Sequence, residues 1–113
     1  MSTFRSLELA IELYRECKQV QLSYAIKDQL IRASSSVALN LAEGNQRFTK
    51  KDRRKFFNIA LTSHREVQCI IKLEDVNEIK RKADQLGAML FSLNRNLSRQ
   101  LVTDIRYPIT DNR

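Results

Sequence analysis

Residues 79–97, IKRKADQLGAMLFSLNRNL, carry the pattern that decides the fold. Apolar side chains recur there at alternating spacings of four and three positions, at Ile79, Ala83, Leu86, Leu90, Leu93 and Leu97. A row with this spacing lies along one face of an α-helix and packs against other helices. We therefore predict a long helix over residues 76–102, opened by the capping pair Asp75 and Glu78. Gly87 interrupts it only mildly.

Three further helices are expected before this one. The first is predicted over residues 4–20 and the second over residues 24–43. The third is predicted over residues 49–73, because Thr49 and Asp52 have the spacing of a capping box. Short polar segments separate the helices, so consecutive helices are expected to run antiparallel.

The predicted core rows follow the same helical spacing. In helix one the row consists of Phe4, Leu7, Ile11 and Tyr14. In helix two it consists of Ile26, Leu30, Ala33, Val37 and Leu41, and in helix three of Phe56, Ala60, Ser63, Val67 and Ile70. Gly44 is expected to end helix two in a left-handed conformation, which glycine adopts without strain.

These elements predict an all-α protein, an antiparallel up-down-up-down four-helix bundle over residues 1–102 with an irregular tail over residues 103–113. The chain has only two Gly and one Pro, and strand-like alternation is missing. It has neither the run of about 18 apolar residues that a membrane helix needs nor a signal-peptide core. Two cysteines are too few for a disulfide framework, so we expect a reducing, cytoplasmic location.

The second predicted helix contains three consecutive serines and two apolar rows rather than one. Opposite its core row lies a row of small or apolar residues, namely Ile31, Ser35, Ala38, Leu39 and Ala42. Small side chains allow another helix to approach closely, which predicts that a second subunit covers this row. The alternative is that these residues are scattered apolar side chains of the kind that every monomer exposes.

Two segments of the chain carry the pattern of a known family. The first contains Arg32, Ala33, Ser35 or Ser36, Val37, Asn40, Leu41, Ala42, Glu43 and Gly44, and the second contains Phe56 or Phe57, Ile59, Ala60, Ser63 and Glu66. Together they closely resemble the small four-helix-bundle proteins encoded within intervening sequences of bacterial 23S ribosomal RNA. Thr62 departs from the family pattern, which often has Gly at that position.

The resemblance implies an oligomer, typically a ring of five bundles, with a basic surface. A related branch of the family serves as the accessory protein of diversity-generating retroelements, where it binds reverse transcriptase and structured RNA. The resemblance therefore implies a pentameric homo-oligomer and allows a reverse transcriptase as a partner.

The net charge of +7 is concentrated in one segment. Residues 47–73 hold eight basic side chains against two acidic ones, and the eight are Arg47, Lys50, Lys51, Arg53, Arg54, Lys55, Arg65 and Lys72. A basic run at a helix N-terminus favours phosphate, which predicts binding of structured RNA or other nucleic acid. The alternatives are a solvated face that keeps the protein soluble and a surface for an acidic protein. Phe48 either stacks on a base or packs into the core as a hydrophobic staple.

No catalytic, cofactor or metal site is predicted. His64 is the only histidine, and Ser63, His64 and Glu66 do not face one another on a helix. We expect a second set of polar residues to make structural hydrogen bonds or ion pairs near the junction of helices two and three: Arg32, Asn40, Glu43 and Glu66. The leading hypothesis is a non-enzymatic, oligomeric, nucleic-acid-binding bundle. The alternatives are a protein-interaction accessory subunit, such as a reverse-transcriptase partner, and a purely structural oligomer.

Overall fold

The computed structural model of the chain describes residues 3–106, with side chains through Asp104. Its helices are α1 (Thr3–Cys17), α2 (Tyr24–Asn45), α3 (Lys50–Glu74) and α4 (Lys80–Arg106), and a 3₁₀ turn, Asn77–Ile79, precedes α4. Each helix packs against the next one, and α1 also packs against α4, which closes an antiparallel up-down-up-down bundle. The predicted all-α fold is confirmed, and the described residues contain no strand.

The predicted core rows of α2 and α4 face the interior. In α4 the side chains of Ala83, Leu86 and Leu90 are fully buried, and Ile79 of the preceding 3₁₀ turn is 2% exposed. The buried residues of α2 are Leu30, Ala33, Ser34, Val37, Leu41 and Gly44. Asn94 joins this core as a buried amide, because its Nδ2 donates to the carbonyl oxygens of Phe57 and Leu90, each at 3.0 Å.

The predicted core row of α1 is wrong. Ser6, Ala10, Leu13 and Cys17 are the residues of α1 that face the interior. Phe4 and Ile11, which the sequence places in the core, are 64% and 36% exposed. Both rows have helical spacing, and the row with smaller side chains is the one that packs inward because it allows closer approach to the other helices.

Gly44 does not have the predicted role. It lies inside α2, which continues to Asn45, and no glycine of the described residues has a positive φ. A Cβ atom added at Gly44 would stand 2.5 Å from Cε1 of Phe57 on α3. The position therefore needs glycine for the close approach of α2 and α3, not for a turn.

The ends of α3 and α4 also differ in part from prediction. The Thr49 cap is confirmed, since its Oγ1 accepts a hydrogen bond from the Asp52 N–H at 3.1 Å. Asp75, however, ends α3 in the left-handed conformation, with φ 53° and ψ 46°, instead of opening α4. Helix α4 runs to Arg106, beyond the predicted end at residue 102, and residues 107–113 of the predicted tail lie outside the described residues.

Candidate nucleic-acid interface

The connection between α2 and α3 and the last turns of α4 come together at one end of the bundle. The ammonium of Lys50 lies 3.1 Å from a carboxylate oxygen of Asp104, and Arg54 Nε donates to Ser98 Oγ at 3.0 Å. We name this region, residues 43–58 and 95–104, the basic end. It holds eight basic side chains against three acidic ones. The structure thus extends the basic run of α3 onto a second helix.

Two cations of the basic end are paired with carboxylates and the others are not. Arg47 pairs with Glu43, and Lys50 pairs with Asp104. Within the described part of the chain, the remaining cations have no carboxylate partner: Lys51, Arg53, Arg54, Lys55, Arg95 and Arg99. All six are exposed. Positive charge without a counter-charge is therefore available to an anionic ligand.

The outer face of α3 continues this surface away from the basic end. Lys51, Lys55 and Arg65 point outward on the same side of the helix, and all three are exposed. Arg65 and Lys72 lie further along, about 15 Å or more beyond Lys55 at 1.5 Å per residue. They line a groove between α3 and α4 that also contains Lys80 and Asp84. Arg65 and Lys72 therefore lie apart from the other six predicted phosphate contacts, which belong to the basic end.

Sequence reasoning missed Arg95 and Arg99, which α4 adds to the basic end. They are one helical turn apart on the exposed side of α4, and the guanidinium of Arg95 lies 5.6 Å from the centre of the Phe91 ring. The predicted topology of the bundle was the signal that could have placed these two arginines at the basic end. In an up-down-up-down bundle, the C-terminal turns of the fourth helix lie beside the first turns of the third.

The three serines of α2 point in different directions and make different hydrogen bonds. Ser34 Oγ donates to the Ile31 carbonyl at 3.1 Å, and Ser35 Oγ donates to the Arg32 carbonyl at 2.9 Å. Ser36 Oγ instead reaches α3 and lies 2.8 Å from Ser63 Oγ. Ser36 thus links α2 to α3, and Ser34 also has a side-chain hydrogen bond to Cys17 of α1.

The predicted structural polar residues divide into two groups. Asn40 lies at the junction of α2 and α3, where its Nδ2 donates to the carbonyl and the hydroxyl of Ser36 at 2.8 and 3.2 Å. Arg32 instead pairs with Asp28 of its own helix, and its side chain is 79% exposed. Glu43 pairs with Arg47 at the end of α2, whereas Glu66 is exposed and has no polar partner among residues 3–104. The junction is thus held by Asn40 and two serines.

A family model described as 23S rRNA-intervening sequence protein matches residues 3–98. The chain belongs to this family. The match takes in α1, α2 and α3 and continues along α4 to Ser98, so it contains Arg95 but not Arg99. No curated protein and no solved structure matches the chain.

The row of α2 that the sequence places opposite the core lies on the side of α2 that is turned away from α3. The side of α1 that holds Glu12 and Glu16 faces Lys82 of α4, and the side of α2 that holds Ser36 faces α3. The opposite sides of both helices therefore flank the α1–α2 contact. We name them together the apolar face, which consists of Phe4, Leu7, Ile11, Tyr14, Ile31, Ser35, Ala38, Leu39 and Ala42.

The apolar face is only partly covered within one chain. Ala38 packs against the core cluster, and Ile31, Ser35 and Ala42 are half-buried. In contrast, Leu39 is 68% exposed and Phe4 is 64% exposed. The small residues of this face are thus partly covered within the chain, whereas Leu39 and Phe4 remain in contact with solvent.

His64 and Cys17 are titratable side chains that lie in the interior of the bundle. His64 is fully buried between α3 and α4, with its Nε2 atom 2.7 Å from the Ala83 carbonyl oxygen, and burial lowers its pKa. Burial raises the pKa of the Cys17 thiol to about 11. Within residues 3–104, no group of three or more His, Cys, Asp or Glu side chains is placed to hold a metal ion. None of the described helices is long and apolar enough to cross a membrane.

Proposed function

We propose that this protein is a non-enzymatic, cytoplasmic RNA-binding bundle whose basic end contacts the phosphates of a structured RNA. The observation that carries the proposal is the basic end itself, where eight basic side chains meet three acidic ones on two adjacent helices. The family description refers to an intervening sequence of 23S ribosomal RNA, which makes folded RNA the first ligand class to test.

The arrangement of the cations favours phosphate contact over the reading of base sequence. Lys51, Lys55 and Arg99 are exposed charges on helix surfaces. Phosphate contacts position a protein on nucleic acid without carrying sequence information. The first turn of α3 adds backbone N–H groups, which favour anions at a helix N-terminus. We therefore expect binding that depends on RNA shape and on salt.

The proposal is tested by measuring the affinity for a stem-loop RNA at several salt concentrations, for the wild type and two triple variants. The first variant carries Lys51→Gln, Arg54→Gln and Lys55→Gln at the basic end. The control variant carries Lys18→Gln, Lys27→Gln and Arg81→Gln at the far end of the bundle, which comprises residues 16–28 and 72–84. Both variants lose the same net charge, so a difference between them reports the position of the charge.

We expect the basic-end variant to lose on the order of 100-fold in affinity near physiological salt, and its log–log salt slope to fall by about 2 to 3. The far-end variant should bind almost as well as the wild type. Absence of binding by the wild type at about 50 mM salt would refute the proposal. Equal losses in the two variants would show that only net charge matters.

We propose in addition that the protein self-associates through its apolar face. This would bury Leu39 and Phe4, and it would bring several basic ends together so that weak contacts add up through avidity. Light scattering at micromolar concentration tests the idea on Leu39→Glu and on the control Ala88→Glu, which changes an exposed alanine of α4. We expect a smaller particle only for Leu39→Glu, with helix content unchanged in both variants. A monomeric wild type would contradict self-association.

A further inference from the structure

Phe48 stands apart from every other large apolar side chain of the described residues, because it is 99% exposed. The two other phenylalanines of this region are covered. Phe57 is 4% exposed, and Phe56 is half-buried, with the Arg47 guanidinium 4.7 Å from the centre of its ring. The ring of Phe48 thus does not form the hydrophobic staple that the sequence allowed, and both of its faces are open to solvent.

The backbone on both sides of Phe48 is held in place. Arg53 Nε donates to the Arg47 carbonyl at 2.9 Å, and the Arg53 N–H donates to the Thr49 carbonyl at 3.0 Å. Thr49 also accepts the Asp52 N–H through its side chain. Residues immediately before and after Phe48 are therefore anchored to the first turn of α3. An anchored ring loses less conformational freedom on binding than one on a loose segment.

The surroundings of the ring indicate what it would contact. Arg47, Lys50 and Lys51 lie within three positions of Phe48, and Asp52 is the nearest acidic residue in the sequence. A second copy of the same end would be repelled by this charge. An unpaired nucleotide fits both features, since its base has a flat π-face for the ring and its phosphates suit the cations.

We infer that Phe48 stacks on a nucleobase that lies outside a duplex, and that the RNA bound by the basic end is a stem carrying a bulged or looped-out nucleotide. The inference rests on the proposed function and narrows its ligand. Bases inside a continuous A-form duplex are stacked on one another and do not offer a free face to a side chain. The cations would hold the stem, and the ring would select the unpaired base.

The test compares two RNAs, a stem with a single bulged 2-aminopurine and the same stem without the bulge. The proteins are the wild type, Phe48→Ala, Phe48→Trp and the control Tyr24→Ala. Tyr24 is 85% exposed and lies at the far end, so its removal deletes an exposed aromatic ring away from the basic end. Because both rings are exposed, neither alanine variant should change the unfolding temperature.

We expect the wild type to prefer the bulged stem by about 10-fold or more and to quench the 2-aminopurine fluorescence on binding. Phe48→Ala should lose the preference and the quenching, yet keep the affinity and the salt slope for the plain stem. Phe48→Trp and Tyr24→Ala should behave as the wild type does. This combination separates stacking from a general loss of binding.

Three results would overturn the inference. Equal affinity of the wild type for the two stems would do so, and so would a Phe48→Ala variant that keeps the preference. Loss of binding to phosphatidylglycerol vesicles in Phe48→Ala, with RNA binding unchanged, would assign the ring to a membrane surface. If the wild type binds neither stem at low salt, the proposed function fails as a whole, which differs from a failure of the Phe48 inference alone.

Discussion

The two ends of the bundle use similar numbers of charged residues in different ways. At the basic end, eight basic side chains meet three acidic ones, whereas the far end holds six of each. Three of the six far-end acids are ion-paired, since Lys82 pairs with Glu16, Lys80 pairs with Asp84 and Arg32 pairs with Asp28. The Lys80 ammonium, bonded to Asp84, holds the pKa of that carboxyl below its usual value.

At the basic end, most of the exposed cations are not the residues that pack the helices together. The helices there are joined by the Gly44–Phe57 contact and by the amide of Asn94, which need no surface cation. Four cations of this end have no ion pair or hydrogen bond among the described residues, namely Lys51, Lys55, Arg95 and Arg99, whereas Lys50 and Arg54 bond to side chains of α4. At the far end, by contrast, Lys82 links α1 to α4. Substitutions at the two ends should therefore separate effects on RNA binding from effects on stability.

The largest effect is expected from Gly44→Ala, which would disturb the packing of α2 against α3 at the basic end. The new methyl group would lie 2.5 Å from a ring atom of the buried Phe57. The core must shift to remove this steric overlap, so we expect a loss of about 1–3 kcal/mol in the free energy of unfolding. Urea denaturation monitored by circular dichroism measures this loss.

Gly87→Ala is the matched control for that variant. A Cβ atom at Gly87 would meet only the flexible amide end of Gln68, at 2.7 Å, and that end can move aside. Replacing a mid-helix glycine by alanine then stabilises by about 0.5–1 kcal/mol. Equal and small effects at the two glycines would contradict the close approach of α2 and α3.

The next largest effect concerns the two arginines that α4 contributes. Arg95→Gln with Arg99→Gln should weaken RNA binding about 10-fold and lower the salt slope by about 1 to 2, because removing one protein–phosphate ion pair reduces the slope by nearly one. Stability should not change, since neither side chain pairs with a carboxylate among residues 3–104. Unchanged affinity would restrict the interface to α3 and its preceding connection.

A smaller effect is expected from acid, through the buried His64. Burial lowers its pKa, although the bond to the Ala83 carbonyl and the charge of Asp84 oppose this shift. The unfolded chain takes up a proton near the ordinary pKa of 6.5, whereas the folded chain takes it up only at lower pH. The free energy of unfolding should thus fall as the pH drops through about 6.5.

His64→Gln supplies the control for this pH dependence. The glutamine amide does not titrate, yet it keeps a donor for the Ala83 carbonyl oxygen. Urea denaturation at several pH values should show a flat profile for the variant over the interval in which the wild type loses stability. The same slope in both proteins would assign the pH dependence to other groups.

The smallest effect is expected at the far end, from Lys82→Met. This change keeps the apolar stem of the side chain and removes its bonds to Glu16 and Glu12, which raise the pKa of the lysine. Such partly exposed pairs contribute about 0–1 kcal/mol, so a modest loss of stability is expected, and it should shrink in high salt. RNA affinity should remain that of the wild type. A loss of RNA affinity in Lys82→Met would contradict the expectation that only the basic end binds RNA.

The parts of the fold that the sequence predicts are those with one unambiguous apolar row. In α4 the row through Ala83, Leu86 and Leu90 has no competitor, and it is buried. In α1 two rows compete, and the sequence favours the larger side chains of Phe4 and Ile11 over the small Ser6 and Ala10. Which row faces inward depends on how closely the neighbouring helices approach, and one helix alone does not contain that information.

The residues of the candidate site also divide into those that the sequence reveals and those that only the fold brings together. The basic run from Arg47 to Lys55 is contiguous, so the sequence reveals it directly. Arg95 and Arg99 lie some forty positions further along and join it only through the antiparallel packing of α3 and α4. The exposure of Phe48 is likewise a tertiary property, because a staple and a free ring have the same local sequence.

The contact between Ser36 and Ser63 has a geometric consequence for the whole surface. The hydroxyl oxygens of these two short side chains are 2.8 Å apart. Such a short contact forms at only one axial alignment of α2 and α3, so it fixes the position of one helix along the other. One residue inserted into α3 between Lys55 and Ser63 would rotate everything on its N-terminal side by about 100°. The cationic side chains would then turn toward a neighbouring helix, so the length of this short segment sets the direction in which the protein presents its charge.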